Sequence, residues 1–148
     1  MSFSSYIAFQ NNDQANISYS IHNPISITGL PSATPFTTLA ASVTLEAGTY
    51  LLSGQIEIVC ATGKITSYEV KLVESSGAST TYGLANKNYV SGSENVTNEV
   101  APLNRYLVIL TPTTFNITTN VVTTTGTWGL SKPTGEELAQ YFIIVKLA

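Results

Sequence analysis

The sequence predicts an all-β fold, an antiparallel sandwich of two sheets, on three observations. Short segments of alternating apolar and polar residues recur, with turn signals every 8–14 residues. Helical periodicity is nearly absent. Of the 148 residues, 37 are Ser or Thr, and β-branched Thr suits the pleated surface of a sheet better than a helix. The length corresponds to one domain.

The elements follow in order. Tyr6–Phe9 is a short apolar segment. Ile17, Tyr19 and Ile21 alternate with Ser18 and Ser20, and Ile25 and Ile27 follow Pro24. Leu30–Pro35 is turn-rich, with two prolines that a central strand would not hold. Residues 1–35, with Pro24, Pro31 and Pro35, are the least regular part of the chain. They are expected to form an N-terminal segment with short strands that anchors the protein, ahead of a sandwich domain over 36–148. Val43 and Leu45 alternate, and Ala47-Gly48 is a turn signal. The clearest strand starts at Gly48. Tyr50, Leu52, Ile56, Ile58 and Cys60 share one parity and Ser53, Gln55 and Glu57 the other, as in a half-buried antiparallel strand. Gly54 falls on the buried parity, which predicts a bulge or close packing.

After the turn at Thr62-Gly63-Lys64, Tyr68, Val70 and Leu72 alternate with Glu69 and Lys71. Ser75–Ser79 reads as a loop, Thr80–Leu84 as a weak strand and the polar stretch 85–95 as a surface loop. Val96–Val100 is a weak strand. Tyr106, Val108 and Leu110 mark a strong one, and Phe115, Ile117, Thr119 and Val121 another. Turns at Thr123–Gly126 and Lys132–Gly135 bracket a short segment around Trp128 and Leu130. Thr134–Gln140 has the spacing of a capped helical turn but reads as a loop before the last strand, Tyr141–Ala148.

Composition excludes several classes of function. Net charge is −3 with six Lys plus Arg, which gives no electrostatic footprint for nucleic acid. No run of 18 apolar residues is present to insert in a membrane as a helix. One Cys allows neither an intrachain disulfide nor a Cys-based zinc site. The N-terminus has no basic segment followed by an apolar one, so synthesis in a cytoplasm without secretion is expected.

No enzymatic constellation is visible, and no catalytic residue, cofactor or metal site is assigned. His22, the single imidazole, precedes Asn23-Pro24, and a triad would have to draw on it with Asp13 or a Glu. The nine acids are scattered, and only Glu136 and Glu137 are adjacent. Cys60 shares parity with Ile56 and Ile58 and is expected to be a buried, inert thiol. Ser93–Glu99 carries oxygen ligands but reads as a solvated loop. The three Asn-x-Ser/Thr triplets, at Asn16, Asn95 and Asn116, match what chance gives in a chain with 11 Asn and 37 Ser or Thr. Tyr82, Tyr89 and Trp128 lie in or near loops, where an aromatic ring can stack on a sugar, and are the candidate ligand contacts.

Two segments carry a family resemblance. Val43–Gly54 resembles the start of the tumour necrosis factor/C1q-like jelly roll, in which an apolar strand is followed by a Gly-x-Tyr that opens the next, here Gly48-Thr49-Tyr50. Tyr141–Ala148 is similar to the last strand of tumour necrosis factor-like domains. Tyr106–Leu110 and Phe115–Val121 stand where that family places its penultimate strands. The resemblance implies a ten-stranded jelly roll that forms a compact homotrimer. It includes secreted cytokines and complement-like ligands, and similar modules serve virus and phage particles as fibre tips, spikes and capsid decorations. With no signal peptide, collagen stalk, transmembrane stem or disulfide in this sequence, the expectation is a virion surface protein, made in a host cytoplasm. Its partners would be its own copies, other virion proteins and a host-surface glycan or receptor. A carbohydrate-binding, lectin-like module is the alternative, and a cytokine-like ligand the third reading. The last strand is apolar on both faces, so it needs two partners. The resemblance places Tyr141, Ile143, Val145 and Leu147 on the trimer axis and Phe142 and Ile144 in the core.

Overall fold

In the computed structural model, residues 18–22, 24–75, 80–90, 96–131 and 140–148 are described. Eleven strands run in order: β1 (Ser18–His22), β2 (Ile27–Pro31), β3 (Phe36–Thr37), β4 (Val43–Leu45), β5 (Gly48–Cys60), β6 (Ile65–Glu74), β7 (Thr81–Asn88), β8 (Asn98–Ile109), β9 (Thr113–Thr123), β10 (Thr127–Ser131) and β11 (Tyr141–Lys146). All strand pairs are antiparallel. Thr134–Glu137 and the Ser93–Asn95 part of the proposed oxygen-rich loop lie outside the described residues, as do Asp13, Asn16 and Tyr6–Phe9.

Two sheets result. In sheet I the long β5 is covered along one edge by β8, from Gly48 to Val59. Its other edge is shared by β11, against Tyr50–Gln55, and β10, against Glu57–Cys60. β1 then extends β11, and β2 extends β10. In sheet II β9 is flanked by β6 on one side and by β3 and β4 on the other, and β7 extends β6. Turns at positive φ, Gly63 at +86° and Gly126 at +77°, connect the strands where the sequence marks Thr62–Lys64 and Thr123–Gly126.

The core lies between the sheets. Tyr50, Leu52, Ile56, Ile58 and Cys60 from β5 meet Tyr68, Val70 and Leu72 from β6 and Phe115, Ile117 and Val121 from β9. These are the parities expected from the sequence. Phe142 and Ile144 join the same core, so the last strand turns the expected face inward. Thr119 is fully buried, and its hydroxyl bonds that of Thr38 at 2.7 Å, which satisfies both polar groups inside the sandwich.

Gly54 pairs with Phe142 on one side and Leu103 on the other. A Cβ there would run into the Tyr141 carbonyl oxygen and stand 3.3 Å from the Phe142 Cα. The glycine therefore marks close strand packing. Gly54→Ala is expected to separate β5 from β11 and cost about 2–3 kcal/mol. Thermal unfolding would show this as a Tm lower by roughly 5–10 °C, and an unchanged Tm would refute it.

Three local readings need correction. β8 is one strand of 12 residues that passes through Pro102, not two segments. Its buried residues are Ala101, Leu103, Leu107 and Ile109, whereas Tyr106, Val108 and Leu110 are exposed. Both parities carry apolar residues here, so periodicity does not choose between them, and Pro102 is admitted because, among the described residues, β8 pairs on one edge only, with β5. β7 continues to Asn88 through residues that read as loop, because pairing with β6 leaves Asn86 and Asn88 on the outer, polar side. β1 (Ser18–His22) and β2 (Ile27–Pro31) are part of sheet I, so the sheet begins before residue 36. β1 contributes five register pairs to β11, and Leu30 and Ile27 of β2 pack against the core.

Candidate functional site

Directly paired residues of antiparallel strands share a face, so the outer surface of each sheet can be read in rows. On sheet I the rows are Ile21–Ile143–Ser53–Asn104, Val145–Leu51–Tyr106 and Tyr141–Gln55–Pro102. Thr49–Val108 and Glu57–Val100 flank them. Tyr106 is 60% exposed, Val108 53%, Val100 48%, Ile21 45% and Leu51 43%. Glu57 is the one charged residue in these rows. Exposed apolar side chains thus recur along this nearly uncharged face, interrupted by the polar Ser53–Asn104 row.

The outer face of sheet II is different. Its rows are Asn88–Ser67–Val122, Asn86–Glu69–Asn120 and Gly83–Lys71–Thr118. Lys71 bridges Glu69 at 2.9 Å. Carboxamides, hydroxyls and one internally neutralised charge pair make up most of this surface, with Val122 and Val73 as apolar members.

A recess lies between the sheets and is lined by His22, Thr44, Glu46, Tyr50 and Lys146. The Tyr50 hydroxyl donates to the Glu46 carbonyl at 2.9 Å, and the Lys146 ammonium sits 5.9 Å from the Tyr50 ring centre. Burial lowers the pKa of His22, which keeps the imidazole neutral at pH 7. Its Nε2 makes no hydrogen bond among the described residues. Cys60 is buried, its thiol donates to the Thr62 carbonyl at 3.0 Å, and burial pushes its pKa up, away from thiolate reactivity. No three His, Cys, Asp or Glu side chains converge among the described residues.

Of the residues proposed for an axis, Tyr141, Ile143 and Val145 lie on the outer side of β11, and Leu147 follows it at 40% exposure. Tyr141 and Val145 are half-buried. Ile143 is only 4% exposed within the single chain, so it has little area left for a partner. The larger apolar area is on β5 and β8, at Leu51, Val100, Tyr106 and Val108. The sequence reading followed the apolar last strand and did not single out these exposed residues. The available signal was the second apolar parity of residues 100–108.

The three candidate aromatic contacts do not form one platform. Tyr82 packs edge-on to Phe115 with centroids 6.0 Å apart, under the Arg105 guanidinium at 5.7 Å. Tyr89 lies 4.7 Å beneath the Lys87 ammonium. Trp128 must be corrected outright. It is 1% exposed, its side chain belongs to the core, and its indole N–H donates to the Pro31 carbonyl at 2.9 Å. It packs in the sandwich and offers no face for stacking.

No family model and no curated protein matches the sequence. Solved structures do resemble it. The tumour necrosis factor Eiger of S. frugiperda aligns over 89% of this chain and 93% of its own, with 15% identity and a TM-score of 0.54. The VP2 subviral particle of infectious bursal disease virus aligns over 88% of this chain with 11% identity and a TM-score of 0.55. This chain spans 32% of that VP2 chain. The T=1 particle derived from the same virus gives 13% identity and a TM-score of 0.55, over 88% of this chain and 31% of that one. Together with the two antiparallel sheets, these likenesses establish the fold as a tumour necrosis factor-like jelly roll of a kind also present in virus particles.

Proposed function

We propose that the chain is a virion structural protein that self-associates as a homotrimer through the outer face of sheet I and turns sheet II outward. The reading is structural and adhesive, with no enzymatic step. It has the protein on a capsid or fibre, beside other virion proteins and in reach of a host-surface glycan or receptor. The observation that carries it is the contrast between the two outer faces, Leu51, Tyr106 and Val108 on one against Asn86, Glu69 and Asn120 on the other. A nearly uncharged apolar face suits packing against further copies of the chain around a threefold axis, because its burial brings little charge into the interface. Likeness to particle-forming VP2 supports the virion setting.

Solution mass tests the proposal. Light scattering on the purified chain is expected to give about three times 15.8 kDa. Tyr106→Glu places a carboxylate at the centre of the face, where burying it unpaired costs several kcal/mol. That variant is expected to run as a folded monomer. A wild-type monomer, or a Tyr106→Glu protein still trimeric, would overturn assembly through this face.

A further inference from the structure

We infer that the outer face of sheet II holds a binding site for a neutral sugar, formed by Ser67, Glu69, Asn86, Asn88, Asn120 and Val122. The inference deepens the host-contact part of the function proposed above and rests on that reading for its biological setting. These residues line one recess, set by the pairings Asn88–Ser67–Val122 and Asn86–Glu69–Asn120 across β7, β6 and β9.

Two observations point to a ligand. The side-chain oxygen of Asn120 is shielded from solvent and has no hydrogen-bond partner among the described residues. Buried polar atoms are ordinarily satisfied, and the Asn120 side chain lines the recess, so rotation of its amide toward the opening would let this acceptor take a donor from a bound molecule. Two other asparagines, Asn116 and Asn98, behave differently. Asn116 donates to Ser42 and accepts from the Ile117 amide, and Asn98 donates to Glu57. The second observation is the chemistry of the recess. Each carboxamide offers two donors and an acceptor, which matches hydroxyls that both donate and accept. Glu69 adds a charged acceptor. Val122, 36% exposed, supplies an aliphatic patch for the C–H face of a pyranose ring.

Other ligand classes fit less well. Calcium takes six to eight oxygens and favours several carboxylates, whereas this recess has one, already bridged by Lys71 at 2.9 Å. An anion would meet Glu69. A ligand without charge leaves the Glu69–Lys71 pair intact.

The test is a titration of the full-length, isotope-labelled protein with glucose, galactose, mannose and N-acetylglucosamine, followed by NMR of the asparagine side-chain amides. At least one sugar is expected to shift the Asn86, Asn88 and Asn120 amides saturably. Asn120→Ala should weaken that binding about fivefold or more, the loss of one good hydrogen bond. Glu69→Gln, which keeps the shape of the side chain, should weaken it as well, and Asn116→Ala should leave it unchanged. If no sugar moves these amides, or if Asn120→Ala and Glu69→Gln bind like wild type, the site is overturned. Solution mass reads assembly through sheet I and the titration reads sheet II, so failure of one is distinguishable from failure of the other.

Discussion

Trp128→Ala is expected to unfold a large part of the population under mild heating rather than to abolish the binding of a ligand. The side chain is 1% exposed and sits in the core with Leu130 on the same short strand. Replacing a buried Trp by Ala costs about 3–5 kcal/mol in lost burial and cavity formation. Truncation also removes the indole donor from the Pro31 carbonyl, a bond of 2.9 Å that ties β10 to the end of β2. A loss of this size lowers Tm by roughly 10 °C in a domain of this length. Trp128→Phe keeps most of the ring and is expected to cost about half as much. Calorimetry or circular dichroism across the three proteins checks the order. A Trp128→Ala protein as stable as wild type would place the indole at the surface and revive its role as a stacking platform. Since this is the single Trp, wild-type fluorescence should also be blue-shifted and resist quenching by acrylamide.

The second large effect concerns the N-terminal segment. Removing residues 1–35 is expected to leave a chain with no cooperative unfolding transition. The deletion takes away β1 and β2, and with them the partners of β11 and β10. The apolar last strand would lose one of its two neighbours, and the Trp128 indole would lose its acceptor at Pro31. Exposing such strand edges also invites aggregation. Removing only residues 1–17 retains all eleven strands and is expected to preserve the transition. Comparing the two truncations by thermal melt and by binding to virion components separates anchoring from folding. A cooperatively folded product lacking residues 1–35 would restore the boundary at residue 35 and show that β1 and β2 are dispensable.

How legible the fold was depended on each strand's two faces. In β5 and β9 one parity is almost wholly apolar and the other mostly polar, Leu51, Val59 and Val122 excepted, so the buried set, Leu52, Ile56 and Ile58 with Phe115, Ile117 and Val121, could be read directly. Gly54 was readable as a constraint, though only its neighbours show that the obstacle is the Tyr141 carbonyl. β8 was not readable in the same way. Its residues 100–109 are apolar on both parities, and period 2 names two sets without ranking them. The same ambiguity in β11 resolved as expected, because Phe142 and Ile144 face the core, yet Ile143 proved nearly buried too. The end of β7 was hidden for the opposite reason. Asn86, Lys87 and Asn88 carry no apolar signal, and their strand character comes from the facing residues of β6.

The candidate surfaces were less legible than the fold. Neither depends on one segment. Leu51 and Tyr106 are 55 positions apart and adjacent only through the register of β5 with β8. Glu69, Asn86 and Asn120 form a row only because β6 pairs with both β7 and β9. By itself, the sequence determined the class of the fold, its turns and the buried parity wherever one face was polar, since alternation along a strand is a local property of the backbone. The tertiary structure alone decided which apolar face of β8 went inward, that Trp128 belongs to the core, and which side chains stand together on each outer surface. Those outcomes depend on contacts between strands far apart in the chain, whose register no local pattern encodes.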